Sequence, residues 1–179
     1  MAEFIPPQEP GPGAHLPNVE ATYIDLHRLL SIFLASRAFA DLIEAPAGHA
    51  QELHDPLFTL QACEEDEIAR ILLGLAITAR VVDDAHARVL DLVALPCGRL
   101  VPDVRRPERS VDLELREACN KIIHAQRRNF DIERNANERP YLTPTVYLYG
   151  QQGGTEWKAT LDIVAFAKRY TSCVAAARG

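Results

Sequence analysis

A chain of 179 residues is long enough to bury a hydrophobic core of its own and suggests a single domain. With 47% hydrophobic and 25% charged residues it has the make-up of a globular protein, and a formal charge of -6 argues against a molecule built mainly to coat nucleic acid. The longest apolar run, "ILLGLAITA" from Ile71 to Ala79, is about half of the ~20 residues a membrane span needs, so no membrane span is expected.

Residues 1–18 hold five of the twelve prolines and two of the nine glycines, which predicts a flexible Pro-rich leader that folding does not need. The leader lacks the basic and apolar regions of a secretory signal. From Val19 the pattern turns helical: Tyr23, Leu26, Leu30 and Phe33 recur at three and four, giving a first helix to about Leu42. "EAPAGHAQELHDP" reads as a connection, with Asp55 and Pro56 as cap and first residue of the next helix. A second helical region is expected over about 57–93, broken near "EEDE", whose carboxylates suit the positive end of a new helix. "ALPCGRLVPDVRRPERS" carries three prolines and no helical period, so it reads as a long loop. Ser110 or Asp112 then caps a third helix running to about Ala125. Beyond it the period falls to two. "RRNFDIERN" alternates weakly, and "TVYLYG" and "TEWKATL", joined by "QQGG", predict a β-hairpin at about 144–161. Asp162 caps a last helix. The expected fold is mainly α (α+β): one domain over 19–179, a helical bundle carrying a small antiparallel β-meander.

The third helix carries the chemistry. Leu115, Ala118, Cys119, Ile122 and Ile123 form its buried side; Glu117, Asn120, Lys121 and His124 form its polar side, with Glu117 placed to pair with Lys121. Histidine suits proton transfer near neutral pH, an amide can orient it or hold a phosphate oxygen, and arginine stabilises developing phosphorane charge. That set suffices for RNA transesterification with the 2′-hydroxyl as nucleophile, without metal or cofactor. The other reading is that His124 caps the end of its helix. Between Arg99 and Arg128 stand eight basic and five acidic residues, the one locally basic stretch, and within it Lys121, Arg127 and Arg128 are candidate RNA contacts. In "RVVDDAH", Arg80 ends an apolar run with Asp84 at i+4; it forms either an ion pair or part of a site that meets Asn120 and His124 across the bundle. Tyr147, Tyr149 and Trp157 either stack bases or pair across strands.

The four cysteines are solitary, without a C-x-x-C pair, so structural zinc is not expected and a reducing cytosol fits. His49, His54, Glu52 and Asp55 share a loop but lack a ligand pattern, and no metal is assigned to them. There is no P-loop, dinucleotide fingerprint or nucleophile elbow.

"CNKIIHA" resembles the signature helix of HEPN domains, helical bundles in which an arginine, usually followed by a polar residue, precedes a histidine by four to six intervening residues. Asn120 matches the polar residue and His124 the histidine; Cys119 stands where the arginine would be. Arg116 is the nearest upstream arginine, with seven residues between it and His124, while Arg80 and His86 meet the spacing. The resemblance covers one helix and the general helical layout. It implies a cytoplasmic homodimer that cleaves RNA without metal in a toxin or defence setting, with His124 and Asn120 as catalytic residues assisted by Arg80 or Arg116, and an antitoxin as partner. Members lacking the arginine bind RNA or protein instead. A non-catalytic helical-bundle module that docks a protein partner is therefore the second reading.

Overall fold

Asn18 starts the first helix: its Oδ1 accepts from the amides of Glu20 at 3.0 Å and Ala21 at 3.3 Å, capping α1 (Val19–Leu42). The computed structural model describes residues 18–43, 56–85, 89–92 and 95–176; the leader before Asn18, the loop with His49 and His54, and His86 lie outside them. The second helical region divides into α2 (Pro56–Gln61) and α3 (Glu64–Ala85), with four carboxylates in the first turn of α3, and Val89–Leu92 forms a separate 3-10 turn. Then come β1 (Gly98–Val101), β2 (Val111–Asp112), α4 (Leu115–His124), β3 (Arg127–Arg134), β4 (Pro140–Gln152), β5 (Thr155–Asp162) and α5 (Ile163–Ala176).

The expectation of a helical bundle with a small hairpin is corrected here. The strands form one antiparallel five-stranded sheet in the order β2-β1-β5-β4-β3, so the fold is an α+β mix. The expected hairpin is present as β4 and β5, but it lies inside this sheet. The segment that reads as a loop supplies β1 and β2. β1 pairs with β5 through Gly98↔Leu161 and Leu100↔Ala159, and β2 adds Leu100↔Val111. With Val111 and Asp112 in a strand, α4 begins later than expected and has Glu114 at its N-cap position, with no side-chain cap bond.

Alternation decides the layers. Leu142, Val146 and Leu148 of β4 and Trp157, Ala159 and Leu161 of β5 point to one face and are buried. α1, α4 and α5 pack on the sheet, and α3 packs against α1 and α4. A buried hydroxyl joins three elements: Ser36 on α1 donates to Glu64 Oε2 on α3 at 2.7 Å and accepts from the Leu142 amide of β4 at 3.0 Å. Burial raises the Glu64 carboxyl above its ordinary value, against the opposing pull of the Ser36 bond. Among the described residues no helix is long and apolar enough to cross a membrane.

Candidate nucleic-acid interface

α4 is helical because Leu115, Ala118, Cys119 and Ile122 repeat at the spacing of one helix face, and all four are buried. The opposite side builds a pocket of about 380 Å³ from Glu117, Asn120, Lys121 and His124, closed by Gln151, Gln152 and Trp157 from the β4–β5 hairpin. The four polar residues of the helix thus line one cavity. Glu117 organises it, accepting from the Asn120 amide at 3.1 Å and lying 3.0 Å from Lys121 Nζ. Lys121 is only 7% exposed. Its Nζ stands 4.5 Å from the centroid of the Trp157 ring and donates to Gln152 Oε1 at 3.3 Å. The ammonium is therefore fixed in the pocket wall between the Trp157 ring, Gln152 and Glu117. His124 is exposed at the helix C-terminus. Gly150 allows this closeness: a Cβ there would come within 2.3 Å of the Trp157 ring and 3.0 Å of the His124 carbonyl oxygen.

The two arginines are drawn elsewhere. Arg116 donates from Nε to Asp83 Oδ2 at 2.8 Å, and Arg80 Nη1 lies 3.9 Å from the same oxygen while its Nη2 reaches Asp84 at 3.5 Å. Asp83 is fully buried and its other oxygen accepts from the Leu90 amide at 3.0 Å. Arg80 and Arg116 thus converge on a carboxylate of α3, where they hold α3, α4 and the turn at Leu90 together. Cys119 faces the core and is fully buried, so burial pushes its thiol well up from its ordinary value.

Much of the basic segment is neutralised locally. Arg99 is bonded to Asp112, Arg106 lies 3.8 Å from Asp103, and Arg127 lies 4.0 Å from Glu156. Arg127 and Arg128 are both exposed on β3, an edge strand.

The less buried face of the sheet supplies a feature that composition alone does not place. Tyr147 and Tyr149 stand two residues apart on β4, about 7 Å along one face of the strand. The Arg127 guanidinium lies 4.4 Å above the Tyr149 ring, and Lys158 Nζ lies 4.6 Å from Tyr147 and 5.8 Å from Tyr149. The Tyr147 hydroxyl donates to Asp131 at 3.0 Å, which raises its pKa. Trp157 belongs to the opposite face, buried under Lys121, and is not part of this platform. Platform and pocket adjoin: the Gln126 amide, just beyond α4, donates to the Tyr149 carbonyl at 2.8 Å, and Gln151 stands two residues after Tyr149 on the same side of β4. By sequence Gln151 and Gln152 are turn residues; their place at a hairpin end beside α4 comes only from the register.

The thiols give a direct check on this packing. Cys97, Cys119 and Cys173 are buried, and desolvation pushes Cys97 up to about 12, whereas Cys63 is exposed. Because the thiolate is the reactive form, alkylation of the native protein should stop at one adduct, on Cys63. Intact mass with peptide mapping reads this; rapid native labelling of Cys119 would mean that the buried side of α4 is open.

Among the described residues no three His, Cys, Asp or Glu side chains come together as a metal site. The chain matches no family model, no curated protein and no solved structure.

Proposed function

We propose that the protein binds single-stranded RNA along the Tyr147–Tyr149 platform and in the adjoining α4 pocket. The carrying observation is that two adjacent tyrosine rings, each with a cation over its face, lead into a cavity lined by three side-chain amides and a histidine. Single-stranded RNA offers unstacked bases to such rings, base edges to amides such as Asn120, Gln151 and Gln152, and phosphates to Arg127, Arg128 and Lys158. Binding is favoured over cleavage because Arg80 and Arg116 are engaged by Asp83 and Lys121 is held by Glu117 and Trp157. The reading suits the cytoplasm, where free thiols stay reduced, and suits the RNA-binding role implied for HEPN-like chains of toxin or defence systems.

Fluorescence anisotropy with a labelled single-stranded RNA tests it. Tyr149→Ala should weaken binding about 5- to 150-fold, the worth of one stacked base, while Tyr147→Phe keeps its ring and should bind nearly as wild type. Wild-type protein that fails to bind RNA at low salt overturns the reading.

Cleavage is the second reading, favoured by the exposed His124 beside Asn120. In that case the wild type cuts RNA in the presence of a chelator, and His124→Ala loses roughly two to four orders of magnitude in rate while remaining folded. The binding reading expects intact RNA, with His124→Ala costing about 1 kcal/mol of stability at its helix end.

A further inference from the structure

The outer side of α3 is apolar. Leu73, Ile77 and Val81 stand one turn apart and are 39%, 48% and 41% exposed. At about 100° per residue, Ile77 lies opposite the stripe of Leu72, Leu75, Ala79 and Val82 that fills the core. A helix apolar on both sides belongs between two layers, and the described chain supplies one, from α1 and α4. Gly74 leaves further room on the helix, since a Cβ there would meet nothing within 4 Å.

Charge identifies the missing layer. Arg70 and Asp84 share this side, seven residues before and seven after Ile77, with side chains 59% and 66% exposed. An antiparallel copy related by a two-fold axis beside Ile77 sets Ile77 against Ile77, Leu73 against Val81, and Arg70 against Asp84 at both ends. A parallel copy in the same register would oppose like charges. Arg70 now holds Glu67 through Nε and Nη2, both at 2.7 Å, which leaves Nη1 for a second carboxylate, and Asp84 faces Arg80 at 3.5 Å within α3 itself, an exposed pair that holds weakly. We propose that two copies of the protein associate through α3, antiparallel about a two-fold axis at Ile77. The surface is distinct from the α4 pocket and the tyrosine platform, and the inference does not depend on RNA binding.

Sedimentation equilibrium of the full chain at about 0.1 mM tests it, because three apolar side chains per copy form the core of a small interface. The observed mass should approach twice the 19.9 kDa of one chain. Ile77→Lys brings two cations together on the axis and should raise the dissociation constant about thirtyfold or more. Circular dichroism should be unchanged, since Ile77 is half-exposed. Arg70→Glu and Asp84→Lys should each weaken self-association when alone, yet pair with one another when mixed, since both ends then carry opposite charges. A wild type that stays monomeric, or a dimer indifferent to Ile77→Lys, overturns the proposal. Failure of the two charge variants to pair overturns the antiparallel register.

Discussion

Asp83→Ala should lower folding stability by about 3 kcal/mol or more, the largest loss expected from any single polar change in the described chain. The side chain is fully buried, and its removal strands the Leu90 amide and the Nε of Arg116 at once. Arg116 is partly exposed and recovers some solvation, which keeps the loss toward the lower end for a broken buried pair. In a domain whose whole stability is on the order of 5–15 kcal/mol, the melting temperature should fall by roughly 10 °C. Asp83→Asn keeps an acceptor for Leu90 and should cost less. A thermal melt of Asp83→Ala within a degree or two of wild type would falsify the central place given to this carboxylate. Because Asp83 does not line the α4 pocket, RNA affinity per folded molecule should be unchanged in the variant.

Trp157→Ala should cost about 3–5 kcal/mol, as for other large buried aromatic residues. Its ring fills the space between Gly150 and Lys121 and is only 2% exposed. Truncation removes both the packing and the π face against which the Lys121 ammonium is held, so the pocket floor should open together with the loss of stability. Trp157→Phe keeps an aromatic face and should retain most of both. Chemical denaturation compares the three proteins; a Trp157→Ala midpoint matching that of Trp157→Phe would mean that the indole is not the pocket floor.

Some of this arrangement is legible in the sequence and some is not, for definite reasons. α1 declares itself through a long three-and-four repeat, a local feature, whereas its cap, Asn18, reads by composition as the end of the Pro-rich leader. The β4–β5 turn is set by "QQGG", where Gly153 and Gly154 take φ of 57° and 79°. β1 and β2 escape notice because they are four and two residues long and β1 is flanked by Pro96 and Pro102; only pairing with β5 and with one another makes them strands. Within the site, the Glu117–Lys121 contact is set by helical spacing and so is predictable. The destination of Arg116 is not, since its acceptor is 33 residues away in sequence on another helix. The side taken by Trp157 is readable from alternation with Ala159 and Leu161, which share its face. The burial of Lys121 needs the tertiary structure, because a lysine on the polar side of a helix ordinarily reaches water.

The strand order also governs the order of events during synthesis. β3, β4 and β5 are consecutive neighbours and can pair as soon as they emerge, whereas β1 must find β5 across more than fifty residues of chain, a slow non-local closure. α1 is made first, yet its platform on the sheet is complete only when Asp162 leaves the ribosome. At ~5–20 residues per second, the 120 residues between Leu42 and Asp162 take roughly 6–24 s. For that interval the apolar side of α1 lacks the sheet that buries it, which makes the nascent chain a client for whatever shields hydrophobic helices at the ribosome exit.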